Sequence, residues 1–189
     1  GVRFDRAAYA ARARATRSAT ATAPIEAGVI SAFDDGTTGS RFGLGWMLST
    51  DGMAGGKSKG DVTVVDGGAE GSAKALRIAG TIDPALPYAW AGALFSPASA
   101  PMQPANLAAG KEIVFHARGD GKQYRVMVFA QSRGITPIQQ NFTVTSEWKE
   151  FVFSFASLGI DGKDVTMIIV AGGPAAGPFE LFIDNVRLR

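Results

Sequence analysis

A glycine-rich stretch, Gly56-Lys57-Ser58-Lys59-Gly60, contains the residue types of two catalytic loops. A phosphate-binding loop needs Gly-x-x-x-x-Gly-Lys-Ser/Thr between a strand and a helix, so that backbone N–H groups can cradle phosphate oxygens. Here Asp51 stands where the first glycine belongs, and the following residues 61–65 are rich in β-branched types that favour a strand. The sequence therefore predicts no nucleotide site at this stretch.

The same stretch satisfies the Gly-x-Ser-x-Gly pattern of a hydrolase nucleophile, which needs a histidine as its general base. His116 is the only histidine among the 189 residues, and it lies within an apparent strand, 113–117. One histidine without a nearby nucleophile or carboxylate pair leaves little for acid–base chemistry. We therefore expect no catalytic residues and no enzyme activity in this segment.

Composition and charge narrow the possible classes. Hydrophobic residues make up 46% of the chain and charged residues 19%, which is ordinary for a globular protein. Five arginines lie between residues 1 and 23, but this basic segment lacks the motifs and interleaved aromatics of nucleic-acid binding. No apolar run is long enough to span a membrane. The absence of cysteine leaves the compartment open, with a bacterial periplasmic or secreted location favoured over the cytoplasm.

The pattern of glycine, proline and short apolar runs indicates the organisation of the chain. Residues 1–26 are predicted to form a short helix, 5–17, followed by a linker, and this segment could be the tail of an upstream domain. Residues 27–189 are predicted to form a separate domain. Turn residues there separate eleven predicted strands: 29–34, 45–49, 60–66, 73–82, 88–96, 111–118, 122–131, 136–145, 147–154, 165–171 and 178–188. So many short strands predict an all-β, two-sheet sandwich.

Gly119-Asp120-Gly121 predicts a hairpin, because Asp-Gly tolerates the positive φ of tight turns. The strands on either side, 111–118 and 122–131, would then be neighbours in one sheet. Alternation gives them one apolar face and one polar face, which is either ligand-facing or ordinarily solvent-facing. With the next strand, the polar face would hold His116, Arg118, Arg125, Gln139 and Asn141.

Four blocks of sequence resemble the complex I intermediate-associated protein family of the thirty-kilodalton type. They are Trp46 with 51–53 and 55–58, then 117–124, then 142–148 with 151–155, and finally 179–188. The resemblance covers most of 29–189 and implies a galactose-binding-like jelly roll without catalytic residues, since mitochondrial members are assembly factors. Bacterial members occur as separate proteins or appended domains. At 135–140 the chain lacks an aromatic residue that the family often carries.

The first nine residues, Gly1 to Tyr9, resemble the end of a bacterial amidohydrolase. This second resemblance implies that the chain is the C-terminal accessory domain of a longer, metal-dependent hydrolase. The catalytic residues of that parent chain would then precede residue 1.

Acidic residues near both ends of the domain resemble those of carbohydrate-binding jelly rolls, whose first and last strands often share a structural calcium. Asp34, Asp35 and Asp184, together with backbone carbonyls, could supply the hard oxygen ligands that calcium requires. The alternative is that these carboxylates cap turns and pair with Arg41 or Arg187. The metal site is therefore one of two interpretations.

Aromatic residues supply a possible ligand platform. Tyr88 and Trp90 are predicted to lie on the same side of one strand, where flat rings could stack on sugar rings. Burial of both in the core is the alternative, because tryptophan and tyrosine are mostly buried. Trp46 and Trp148 are expected in the core.

These observations lead to two hypotheses for function. The first is a non-catalytic binding module for a glycan or a protein partner, with ligand contacts from Tyr88, Trp90, His116, Arg118, Arg125 and Gln139. The second is a structural or assembly role in which the sandwich packs against a partner, or an attached hydrolase, and binds no small molecule. An exposed apolar patch would favour the second.

Overall fold

The computed structural model describes residues 22–189, which form two antiparallel β-sheets packed face to face. The predicted helix at 5–17, most of the linker and the amidohydrolase-like residues 1–9 lie outside the described part. The first described strand begins at Gly28. All eleven predicted strands are present, each with bounds within a few residues of those expected.

The six-stranded sheet has the spatial order β3-β4-β11-β6-β9, with β1 pairing with β11. Its strands are β1 (Gly28–Ser31), β3 (Lys59–Asp66), β4 (Lys74–Ile82), β6 (Glu112–Gly119), β9 (Lys149–Ser154) and β11 (Gly177–Leu188). The five-stranded sheet has the order β2-β5-β10-β7-β8. Its strands are β2 (Trp46–Thr50), β5 (Ala91–Phe95), β7 (Gln123–Ala130), β8 (Ile138–Thr143) and β10 (Val165–Gly172).

Helical structure is limited to three short elements in the described residues. They are one α-helical turn, α1 (Phe155–Leu158), and two 3₁₀ turns, Asp51–Ala54 and Gln131–Arg133. Within residues 22–189, no helix has the length and apolar character needed to cross a membrane.

The core lies between the two sheets and follows the predicted alternation. Every second residue of β6 points inward, so that Phe115 stacks on Phe153 with ring centroids 5.2 Å apart. From the opposite sheet, Tyr124 and Val126 of β7 point into the same core. Each large apolar side chain buried in this way contributes about 1.5–3 kcal/mol. The apolar faces predicted for β6 and β7 are thus the inner faces of the sandwich.

The predicted hairpin at 119–121 is wrong, because β6 and β7 belong to different sheets. β6 pairs with β11 and β9, whereas β7 pairs with β10 and β8. The turn crosses the sandwich and bonds to other segments: the Asp120 carboxylate accepts from Glu180 N at 2.9 Å and from the Tyr124 hydroxyl at 2.8 Å. Two strands that face each other across a core show the same alternation as two strands side by side. The pattern therefore could not distinguish the two arrangements.

Candidate binding face

The crossing at 119–121 divides the predicted polar face between the two outer surfaces of the sandwich. On the five-stranded sheet, the pairing register places two rows of outward residues across all five strands. One row is Met47, Leu94, Ile169, Met127 and Gln139, and the other is Ser49, Gly92, Ala171, Arg125 and Asn141. Five strands about 4.8 Å apart give a face roughly 20 Å wide.

The floor of this outer face is apolar although it lies outside the main core. Met127, Ile169 and Ala171 form a separate buried cluster. The half-buried side chains of Trp90 and Phe129 pack against it. These side chains are already covered by their neighbours, so the outer side of the sheet has a buried apolar layer beneath Trp90 and Phe129.

Tyr88 and Trp90 stand above this floor as a stacked pair. Their ring centroids are 6.4 Å apart and their planes are inclined by 26°. The sequence predicted that both residues lie within a strand, but they precede β5 instead. Tyr88 is 53% exposed, so burial in the core, the alternative interpretation, is wrong for this ring. The pair offers an accessible aromatic surface at one end of the face.

Trp90 is held in place by two polar residues of β2 and the turn that follows it. Its indole Nε1 donates to Ser49 Oγ at 3.2 Å, and its backbone N–H donates to Asp51 Oδ2 at 3.2 Å. Asp51 is fully buried and also accepts from the Ser58 backbone N–H and hydroxyl at 3.0 and 2.8 Å. A Cβ at Gly56 would come within 2.3 Å of the Asp51 carboxyl group. The glycine-rich stretch that resembles catalytic loops therefore packs against the Asp51 carboxylate, which in turn positions Trp90.

Arg125 is the only charged residue in the five strands of this sheet. It is 6% exposed, and its Nη2 donates to the carbonyl oxygens of Ala89 and Gly172 at 2.8 and 3.2 Å. Burial lowers the pKa of its guanidinium group. Its Nε is buried without a hydrogen-bond partner in the described structure. This buried cation with one donor left without a partner is an exception to the rule that buried polar groups are hydrogen-bonded.

Gln139 and Asn141 lie exposed on β8, at the far edge of the same face. Gln139 is opposite Met127, and Asn141 is opposite Arg125. Both amides can donate and accept hydrogen bonds. Four of the six predicted ligand residues, Tyr88, Trp90, Arg125 and Gln139, thus share one face.

The other two, His116 and Arg118, lie on the opposite outer face, on β6 of the six-stranded sheet. Arg118 is sandwiched between Phe182 and Trp148, with its guanidinium carbon 4.2 and 5.3 Å from the ring centroids. Trp148 is only partly buried and lies outside the core, so its predicted core position is wrong. A single site containing all six residues cannot form, because the sandwich separates the two groups.

The three carboxylates considered for calcium do not form a common site. The Asp34 carboxylate accepts hydrogen bonds from Ser72 Oγ and Lys74 N, and these bonds lower its pKa. The buried Asp184 carboxylate accepts hydrogen bonds from Ala69 N and Asn185 N. Asp35 instead closes its own turn by accepting from the Thr37 N–H at 2.9 Å. Their oxygens are occupied by N–H and O–H donors, and the described residues contain no group of three or more acidic, histidine or cysteine side chains suited to a metal. The residues present do not fit a calcium ion.

The alternative interpretation of these carboxylates holds in part. All three cap turns or loops, as that interpretation expected. The expected arginine pairs are absent, because Arg41 donates to the backbone oxygens of Val29 and Glu26, and Arg187 pairs with Glu150. Asp34 and Asp184 together tie the loop between β3 and β4 to the rest of the sheet.

One protein family matches most of the described chain. The family of Complex I intermediate-associated protein 30 (CIA30) matches residues 35–183. No match was found among curated proteins.

Several solved structures share the fold at low sequence identity. A family 11 carbohydrate-binding module of the cellulosomal cellulase Lic26A-Cel5E of Clostridium thermocellum superimposes with a TM-score of 0.64 at 14% identity, covering 88% of this chain and 95% of that one. The family 11 module from the same organism, in complex with a β-1,3-1,4-mixed-linked tetrasaccharide, gives 0.63 at 14% identity, covering 88% and 96%. An exo-β-agarase gives 0.58 at 12% identity, covering 85% of this chain and 25% of the agarase. These similarities establish the jelly-roll fold.

Proposed function

The chain belongs to the complex I intermediate-associated protein 30 family, and from that premise we propose that it is a module that binds a glycan on the outer face of the five-stranded sheet. The observation that carries this proposal is the stacked pair Tyr88 and Trp90 beside the buried, unpaired Arg125. The expectation that this segment is not an enzyme agrees with the family and with the carbohydrate-binding modules that share its fold.

The chemistry of the face suits a sugar chain. Sugar rings have an apolar C–H side that packs on aromatic rings, and an aromatic contact of this kind contributes about 0.5–1.5 kcal/mol. Hydroxyl groups at the ring edge would accept from Arg125 and exchange hydrogen bonds with Gln139 and Asn141. The apolar floor between them excludes water, which strengthens these polar contacts. The complex of the family 11 module with a mixed-linked tetrasaccharide supports this class of ligand.

The proposal is tested by measuring affinity for soluble polysaccharides, with mixed-linkage β-glucan as the first probe. The variants are Trp90→Ala and Tyr88→Ala, examined by isothermal titration calorimetry and affinity electrophoresis. We expect Trp90→Ala to weaken binding by up to about tenfold, and Tyr88→Ala somewhat less, because each removes a stacking surface. Circular dichroism melting curves would establish that both variants remain folded.

Phe182→Ala is the matched control, since it also truncates an aromatic ring but on the opposite outer face. Its affinity should equal that of the wild-type protein. If Trp90→Ala and Tyr88→Ala both bind a polysaccharide as tightly as the wild type, this face is not the glycan site. If no member of a panel of plant, algal and bacterial polysaccharides binds, the glycan proposal itself fails.

Docking of a protein partner is the second candidate function, and exposed apolar residues at the rims favour it. Met47 on edge strand β2 is 47% exposed, and Ile135 in the loop before β8 is 93% exposed. An assembly partner would cover these side chains. Ile135→Asp should weaken a partner complex and leave glycan affinity within about twofold, since this side chain lies outside the two rows of the glycan face.

We also propose that the module is appended to an upstream amidohydrolase in a periplasmic or secreted protein, as the first nine residues suggested. Immunoblotting and intact mass measurement of the native polypeptide, with fractionation of the cells, test both parts. A native chain of about the mass of one domain would contradict the appended arrangement.

A further inference from the structure

A pocket lies on the outer face of the six-stranded sheet, on the opposite side of the sandwich from the aromatic pair. Its volume is about 670 Å³, within the usual range for small-ligand sites. The side chains that matter for its chemistry are His116, Glu70, Glu150, Asn185, Arg187 and Trp148. We call it the His116 pocket.

The pocket is assembled by Asp184, one of the three carboxylates considered as calcium ligands. Asp184 lies at an irregularity in β11, and its Oδ2 accepts from the Ala69 backbone N–H at 2.8 Å. This bond fixes the β3–β4 loop against the sheet and places Glu70 opposite His116. Glu70 and Asn185 have φ values of 50° and 49°, a region that few residues other than glycine adopt. Such conformations persist where the surrounding structure imposes them, often at functional sites.

His116 is the centre of the pocket, and the protein leaves its ring unsatisfied. It is 8% exposed, and its Nδ1 is buried without a hydrogen-bond partner. Its Nε2 lies 3.9 Å from Glu70 Oε1 and 4.0 Å from Glu150 Oε2, too far for direct hydrogen bonds. A ligand hydroxyl beside Nε2 could hydrogen-bond to that nitrogen and donate to one of the two carboxylates. Arg187 adds another buried, unpartnered donor, its Nε.

The charge balance of the pocket points to an uncharged ligand. Glu150 is already paired with Arg187 at 3.0 Å and with Arg189 at 3.4 Å. A ligand therefore meets carboxylate acceptors beside imidazole, amide and guanidinium groups that can donate. Hydroxyl groups satisfy both kinds of partner, because each donates one hydrogen bond and accepts others. The partly buried indole of Trp148 gives the pocket an apolar wall.

A metal ion suits the same atoms less well. Tetrahedral coordination with bonds of 2.0–2.2 Å holds neighbouring ligand atoms roughly 3.4 Å apart, closer than the two separations measured from His116. Glu150 would also have to give up one of its arginine contacts.

We propose that the His116 pocket is a second, independent site that binds one unit of a neutral saccharide. It is separate from the proposed glycan face, since the whole thickness of the sandwich lies between them. Glu70 and Glu150 accept hydrogen bonds from sugar hydroxyls, and His116 and Arg187 hydrogen-bond to the hydroxyl oxygens. The ring of Trp148 contacts the apolar side of the sugar.

The single histidine of the chain makes the test direct, because the His116 Hε1 proton gives one unambiguous NMR signal. The untagged protein is titrated at millimolar concentrations with glucose, galactose, mannose and xylose, each as its methyl glycoside. We expect at least one sugar to shift the His116 Hε1 and Trp148 indole signals in a saturable way. Glu70→Gln should weaken that response about tenfold, because it replaces a charged acceptor at an exposed position.

Glu147→Gln is the matched control, since it makes the same change at a nearby exposed glutamate outside the pocket. It should leave the response unchanged, and so should Trp90→Ala, which alters only the other face. The proposal is overturned if none of the four sugars shifts the His116 signal, which would leave a pocket for water only. It is also overturned if the shifts are confined to Trp90 and its neighbours, or if Zn²⁺ alone shifts the His116 signal while the sugars do not.

Discussion

The two outer faces of this sandwich handle charge in opposite ways. The six-stranded sheet carries acidic and basic side chains that neutralise one another, such as Arg77 with Glu180 at 2.7 Å and Arg187 with Glu150 at 3.0 Å. The strands of the five-stranded sheet contain no acidic residue and a single cation, Arg125, above an apolar floor. A face of paired charges is satisfied by the protein and by water. A face with one buried, unpaired cation and exposed aromatics lacks a partner, which is why we assign ligand binding to it.

The His116 pocket is the exception on the six-stranded side, and it sharpens the contrast. There, too, the informative feature is a buried polar group without a partner. The buried, unpartnered side-chain atoms of the described residues belong to His116, Arg125 and Arg187, and both proposed sites include at least one of them. A buried polar atom without a hydrogen-bond partner distinguishes a binding surface from an ordinary solvated surface better than the polarity of the surface does.

The largest effect is expected from removing the carboxylate that supports the aromatic pair. Asp51→Ala leaves three donors without a partner, two from Ser58 and one from the Trp90 backbone. Unfolding in denaturant should show a loss of about 3 kcal/mol, with glycan affinity also reduced. Asp161→Ala, which removes an exposed carboxylate bonded only to the Lys163 N–H, should cost less than about 0.5 kcal/mol. Equal losses in the two variants would contradict the supporting role of Asp51.

Asp184→Ala should have the next largest effect, because it frees the loop that carries Glu70. We expect a loss of about 2 kcal/mol and a collapse of the sugar response of His116, with binding at the Trp90 face unchanged. Asp35→Ala is the control and should cost far less, since its carboxylate is exposed. Excess EDTA should leave the melting temperature of the wild-type protein unchanged. A drop in that temperature would restore the calcium interpretation.

The same variant tests a pH dependence. Burial raises the pKa of Asp184 above the unfolded value of about 3.9, so the folded state holds this proton more tightly than the unfolded chain. The contribution of protonated Asp184 to the free energy of unfolding is therefore fully present below about pH 3.9. It is lost as the pH rises through the folded-state pKa. The difference in the free energy of unfolding between the wild type and Asp184→Ala should shrink as the pH is raised from 3 towards neutrality. A difference that grows with pH would refute this assignment.

Arg125→Met should change stability by less than about 1 kcal/mol, because the desolvation of an unpaired guanidinium offsets its two bonds to backbone oxygens. Glycan affinity should nevertheless fall about tenfold, since the spare donor is lost. Denaturant titration and calorimetry on the same variant separate these quantities. A large loss of stability with unchanged affinity would make Arg125 a structural residue and weaken the contrast between the faces.

The smallest effect concerns the paired charges. A double-mutant cycle on Arg77→Ala and Glu180→Ala should give a coupling of about 0.5 kcal/mol, which declines as salt is added, because both side chains are partly exposed to solvent. A coupling several times larger would show that this face is held together by its charges and is not simply solvated.

The sequence predicted the strands well and their neighbours poorly. Glycine, proline and alternating apolar residues identified all eleven strands, because the period of two reports which side chains are buried. The turn at 119–121 was assigned to a hairpin, yet it joins two sheets. That error placed His116 and Arg118 in one predicted site with Arg125 and Gln139.

The candidate site was only partly visible before folding. The types and spacing of Tyr88 and Trp90 left a ligand platform and burial in the core as alternatives, whereas Asp51 was notable only as the residue that prevents a phosphate loop. Its role depends on a contact with Trp90, 39 positions along the chain. One signal was present from the start, since the segments that form the five-stranded sheet lack Asp and Glu. It becomes meaningful only when the strands are known to share a sheet.

The sequence by itself determined the all-β class, the positions of the strands, the family and the absence of catalytic machinery in its motifs, because composition and short-range periodicity encode them. The tertiary structure decided which strands pair, which outer face each polar residue occupies, and which buried groups are left without partners. Those properties depend on contacts between residues far apart in the chain, as when Asp184 fixes Ala69, 115 positions away. Alternation specifies that a side chain points outward, but only strand order specifies what lies beside it.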